Sequence, residues 1–202
     1  MQLLDCPDIS KISSGVSPVM FVNGAVLFPK CTFPLRIFEP RYLTMLEQAL
    51  KTTRSFILSF EDEDSEVNSY SYGTMGLITS AVKQNDGTTL VMLEGLFKVK
   101  LIKSDSNHQN WAYEKLSISD SNLDFDLVDK LKLSYNRLCD AIGDCDFPKN
   151  LSLSKNVSHS CDVIVDFLVS NIAFKKEYYL INNINKKLTI AIKVIESIFL
   201  KN

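Results

Sequence analysis

The segment FPKCTFPLRIFEPRYLTMLEQAL, Phe28 to Leu50, holds three of the chain's six prolines, Pro29, Pro34 and Pro40, within its first thirteen residues. Phe33, Leu35 and Ile37 alternate with Pro34 and Arg36, the period of a strand. Proline cannot donate to a ladder, so Pro34 reads as part of an edge strand or corner. Pro40 suits the first helical position, where the missing N–H costs nothing, and Glu39 favours the positive end of the helix dipole. Leu43, Leu46, Ala49 and Leu50 then mark one helical face. The stretch therefore reads as strand, corner, helix.

Strand signals continue on both sides, from about Val19 to Ser119. PVMFVN and AVLFP read as short strands parted by the Asn23-Gly24 turn. SFILSF, Ser55 to Phe60, is another strand, and the acidic run from Glu61 to Glu66 reads as a solvated loop. The segment from Tyr72 to Lys103 reads as a long hairpin turning at Asp86-Gly87. Gly95 interrupts its second arm, which predicts a bulge or bend. WAYEKLSIS, Trp111 to Ser119, closes the β-rich half.

From about Asn122 onward the period is helical. Leu127, Val128, Leu131, Tyr135, Leu138 and Ile142 recur on one face, then Val163, Ile164, Phe167, Leu168 and Ile172. Ile184, Leu188, Ala191, Ile192, Ile195, Ile198 and Phe199 mark the last helix. The expected class is α+β: a small β-barrel lobe containing one helix (residues 1–119), then an α-helical bundle (120–202) packed directly on it.

Composition excludes several function classes. With 46% hydrophobic and 23% charged residues over 202 positions, the chain can build a sizeable core. Its 24 acids against 22 bases give a net charge of −2, without the basic excess of a general nucleic-acid binder. No secretory signal and no membrane span are legible, so the expected compartment is the cytoplasm. Seven scattered glycines make no phosphate loop, and GTMG at Gly73–Gly76 lacks the third glycine of a dinucleotide site. No cofactor is expected.

The five cysteines show no disulfide spacing and read as reduced thiols. Grouping Cys139, Cys145, His159 and Cys161 as zinc ligands is disfavoured because no C-x₂-C pair exists. His108 and His159 sit in polar, loop-like or helix-start sequence; each reads as a surface residue before it reads as a general base.

The opening segment carries a resemblance. NGAVLFPKCTFPLRIFEPRYLTMLEQAL resembles the start of the Lon N-terminal domain, also called the Lon substrate-binding domain, and its LFP, PL and IFEPRY elements are the most specific part. YGTMGLITSAVKQNDGTTLVMLEGLFKVKLI is similar to that family's Asp-Gly hairpin, and the helical tail more loosely to its C-terminal part. The resemblance covers roughly residues 19 to 200. Lys98 stands where the family often has arginine, which weakens any guanidinium-specific contact there; Cys31 replaces a commonly small residue or methionine.

The resemblance implies a PUA-like barrel lobe and a helical bundle. It also implies a non-enzymatic protein that binds unfolded or client polypeptides, with a protease as a further candidate partner. No ATPase or peptidase motif is present, so the chain resembles the stand-alone Lon-domain proteins of bacteria. An RNA-binding PUA-like module is the alternative, and a hydrolase using His108 or His159 ranks last. The prolines are read first as structural. The competing reading is a binding lip made by Phe28, Phe38 and Tyr42 with Arg41 at its rim, since aromatic residues and arginine carry interface energy.

Overall fold

A computed structural model describes residues 13–60, 70–102, 110–117, 122–142, 147–148, 151–153 and 156–200. The acidic run from Glu61 to Glu66, His108, Cys6 and Cys145 lie outside the described residues. The described residues form an α+β fold with one mixed six-stranded sheet and five helices. They divide into two units between Leu116 and Ser117.

In the first unit the strands are β1 (Ser14–Phe21), β2 (Thr32–Ile37), β3 (Ser55–Ser59), β4 (Tyr70–Lys83), β5 (Thr89–Ile102) and β6 (Asn110–Lys115), with α1 (Pro40–Lys51) between β2 and β3. Their order is β2-β5-β4-β3-β1-β6, and β6 also pairs with β5. Only β1 and β3 run parallel. Every residue of β3 is buried, which explains why SFILS is a run rather than an alternation: both faces are covered. Phe56 and Leu58 enter one apolar cluster with Leu35, Ile37, Met45 and Leu46, while Ile57 joins Val19, Val99, Leu101 and Trp111 in another. Each such side chain contributes roughly 1.5–3 kcal/mol by leaving water.

The hairpin forms as its sequence predicts. Gly87 has φ +85°, the left-handed conformation that glycine adopts without steric cost. The bulge expected at Gly95 is present: Gly76 faces Gly95 while Met75 faces Phe97, leaving Leu96 as the extra residue. AVLFP is the exception among the expected strands. Ala25 to Phe28 are buried but join no ladder, because Lys30 N–H donates to the Gly95 carbonyl (2.6 Å) and Gly95 N–H to that of Cys31 (2.9 Å). The segment is clasped beneath the bulge instead of paired beside a strand.

At the hairpin turn, the Asp86 carboxylate accepts from Thr88 Oγ1 (2.7 Å), Thr88 N (3.0 Å) and Arg36 Nη2 (2.5 Å). The Thr88 hydroxyl and then its N–H, ahead of Arg36, hold this carboxyl below its ordinary range. A depressed carboxyl stabilises the fold above its unfolded pKa, and that stabilisation is lost as pH falls through the folded value. Thr88→Ala is therefore expected to raise the Asp86 midpoint more than Arg36→Ala does, followed by carboxyl NMR titration. The reverse order would make the guanidinium the dominant partner.

The second unit holds α2 (Phe125–Ile142), α3 (Val157–Leu168), α4 (Ile172–Tyr179) and α5 (Ile184–Phe199), with α5 packed against both α2 and α3. Asn156, Asn171 and Asn183 cap α3, α4 and α5, each side-chain oxygen accepting from the N–H three residues on. The buried face of α2 is Val128, Leu131, Tyr135 and Leu138, matching the sequence period. Inside this unit lies an ion pair, Lys187 Nζ to Asp162 Oδ1 at 2.5 Å, with both side chains buried and the ammonium 5.0 Å from the Tyr178 ring centroid. Burial pushes the neighbouring Cys161 thiol up to about 12, so it packs as a neutral apolar group. Among the described residues no helix is long and apolar enough to cross a membrane.

Candidate functional site

The corner that joins β2 to α1 divides the four candidate lip residues into two layers. Phe28 is 0% exposed, and Lys98, itself buried, places its ammonium 5.9 Å from the Phe28 ring centroid. Tyr42 is also in the core. Its hydroxyl accepts from Phe21 N (3.2 Å) and donates to Phe21 O (3.5 Å), which ties the first turn of α1 to the end of β1. Phe38, by contrast, is 66% exposed. Arg41 is half exposed: its Nε donates to Glu39 (3.1 Å) and its guanidinium sits 4.5 Å from the Tyr42 centroid. Phe38 and Arg41 are thus exposed, with Arg41 over the Tyr42 ring, while Phe28 and Tyr42 are core residues.

The sequence left a second group of exposed residues unremarked. Register places Pro34 opposite Met92 and Arg36 opposite Leu90, and Leu90 opposite Val82 across β4. Leu90, Met92 and Val82 are exposed, so the outer face of β5 and β4 carries an apolar stripe. The signal was present in TLVML, Thr89 to Leu93, where Leu90 and Met92, alternating with the buried Val91 and Leu93, are also apolar.

The cavities of this unit include two lined by described residues. One, of about 190 Å³, lies between α1 and the hairpin, lined by Leu43, Leu46, Leu50 and Ala81 with Glu47 and Lys83. The other, of about 420 Å³, is lined by the hydroxyl residues Ser14, Ser17, Thr52, Thr53, Ser55 and Tyr113 beside Met75. Among the described residues that line this second cavity, none carries a carboxylate, imidazole or amine. Burial raises the Tyr113 hydroxyl pKa, keeping that group neutral. His159 occupies the first turn of α3, with its backbone N–H given to Asn156 Oδ1. Among the described residues no three His, Cys, Asp or Glu side chains are grouped to hold a metal ion.

Comparison with known proteins places the chain in a family. The model of the ATP-dependent protease La (LON) substrate-binding domain matches residues 16–196. A Lon protease of Buchnera aphidicola subsp. Schizaphis graminum is 23% identical over 191 residues, covering 89% of this chain and 25% of its own length. A Lon protease of Elusimicrobium minutum is 25% identical over 108 residues, covering 50% of this chain and 13% of its own. The chain spans about a quarter or less of these two relatives. Among solved structures, a Lon N-terminal domain protein from Xanthomonas campestris superposes with a TM-score of 0.65 at 19% identity, covering 87% of this chain and 95% of that one. The N-terminal domain of a Mycobacterium avium complex Lon protease gives 0.59 at 13% identity, covering 90% and 98%. The chain belongs to the Lon substrate-binding domain family.

Proposed function

We propose that this protein is a non-enzymatic polypeptide-binding protein whose clients are unfolded or partly unfolded chains. The observation that carries the reading is the family match over residues 16–196. Phe38 and Arg41 are the direct contacts of the binding lip; Tyr42 ties the corner to β1, and Phe28 is buried. An exposed phenylalanine beside an arginine can bury apolar area against a client while the guanidinium meets its polar backbone. In the same reading the ring of pairings β1–β3–β4–β5–β6–β1 is a small PUA-like barrel. The helices of the second unit form a bundle, with the domain boundary near residue 119. Whether a protease receives the client is a separate step of the proposal.

Fluorescence anisotropy of a labelled, permanently unfolded polypeptide tests this, with single-stranded RNA as the control. Saturable binding of the polypeptide alone is expected. Phe38→Ala should weaken it about tenfold, the effect of removing a central interface aromatic, and Arg41→Ala should weaken it less. Salt-dependent binding of the RNA with none of the polypeptide would sink the proposal.

A further inference from the structure

The edge strand β2 shows how such a client could be held. Among the described residues β2 lies at the end of the sheet and pairs with β5 alone. Gly95 N–H donates to Cys31 C=O immediately before β2, in the same register that sets Thr32 opposite Glu94. In an antiparallel pair the residues whose backbone groups face the partner alternate. Phe33, Leu35 and Ile37 therefore turn their amides toward β5, and Thr32, Pro34 and Arg36 turn theirs outward. Pro34, which has no N–H, fits only an outward position of this kind.

We infer that this open edge of β2 takes an extended client segment as an added antiparallel strand, an inference that rests on the polypeptide-binding reading above. Thr32 and Arg36 can each donate and accept, and Pro34 can accept. The outward groups repeat every second residue, about 7 Å apart, a spacing that an extended polypeptide backbone matches. Side-chain surface lies alongside: Pro34 borders the edge on the outer face, Met92 and Leu90 continue it across β5, and the exposed Phe38 follows directly after β2.

Natural edge strands are commonly guarded by charge or proline against unwanted pairing. Here Arg36 reaches Asp86 and Thr88 at the hairpin turn on the β5 side, so its charge is drawn away from the open edge. Pro34 remains as the guard. It disfavours a second copy of this chain, because two β2 strands paired about Pro34 would set proline against proline with no donor on either side. It leaves the edge open to a strand that brings its own N–H groups. The client is thus an extended, apolar, proline-free segment.

The test uses a short labelled peptide of alternating valine and threonine, and the same peptide N-methylated at every valine. N-methylation removes backbone donors and leaves the side chains, without altering the protein. Strand addition predicts about a tenfold loss of affinity for the methylated peptide, the size expected from losing a pair of hydrogen bonds. Arg36→Pro, checked by thermal melting, should weaken the plain peptide similarly; if that variant does not fold, the methylated peptide decides. Equal binding of the two peptides overturns strand addition while leaving polypeptide binding intact. Strand addition is likewise overturned if the unfolded polypeptide binds and the plain peptide does not. Failure of both the peptides and the unfolded polypeptide overturns both proposals. Self-association abolished by Arg36→Pro, with no peptide binding, assigns the edge to a second copy and overturns the inference.

Discussion

Gly95→Ala is expected to destabilise the β-rich unit by about 3 kcal/mol or more, the upper end of overpacking costs. A Cβ at Gly95 would stand 2.3 Å from the Phe28 carbonyl oxygen, 3.0 Å from its carbon and 3.2 Å from Pro29 Cα. All three are backbone atoms, so no rotamer change relieves the overlap. Nor can the segment withdraw, because the hydrogen bonds of Lys30 and Cys31 to Gly95 fix it there. Gly24→Ala is the matched control. Gly24 has φ +93°, but a Cβ added there would meet nothing within 4 Å, so only the left-handed backbone cost, about 1 kcal/mol, applies. In a unit of this size the Gly95 variant should melt about 15 °C or more below wild type. A melt no lower than that of Gly24→Ala would show that residues 28–31 are not clasped at the bulge.

Lys187→Met should destabilise the helical unit by about 3–5 kcal/mol, because it leaves the Asp162 carboxylate buried without its counter-ion. Lys187 lies on the core face of α5 between Ile184 and Leu188, and its side chain is 0% exposed. Asp162 is held on α3 beside Cys161 and Ile164, where water cannot replace the lost ammonium. The double variant Asp162→Leu with Lys187→Met should recover most of the loss, since two apolar groups of similar volume remove both desolvation penalties. Urea unfolding of the four proteins gives the coupling directly. Two single variants close to wild type would mean that the pair is solvated and contributes little.

The clasp of residues 28–31 at Gly95 and the Lys187–Asp162 pair mark where sequence reading stops. The β2–α1 junction, the hairpin turn at Gly87, the bulge at Gly95 and the helical faces are legible because each rests on local period or backbone chemistry. The capping asparagines were equally local, and Asn156, Asn171 and Asn183 each stand just before a helix. The Lys187–Asp162 pair was not legible. A lone lysine on a helix ordinarily reads as surface, and its partner lies 25 residues away. AVLFP misleads for a related reason. Its apolar composition is that of a buried strand, but the residues just after it, Lys30 and Cys31, are bonded to Gly95 at the bulge, and the segment itself joins no ladder.

The candidate site shows the same division. Phe28, Phe38 and Tyr42 look alike in sequence, and only tertiary placement separates two core residues from one exposed ring. The family resemblance located the segment but could not sort its aromatics. The outer stripe of β5 was hidden because apolar residues on both sides of a strand suggest full burial. β5 is paired on both sides, yet its outer face at Leu90 and Met92 is left exposed, which only the tertiary fold reveals.

The most direct measurement is isothermal titration of this protein with one polypeptide in two forms, native and permanently unfolded. Recognition of exposed apolar chain predicts saturable heat with the unfolded form alone, together with a negative heat-capacity change from apolar burial. No saturable heat with the unfolded form, or equal heat with both, would contradict polypeptide recognition as the function of this domain.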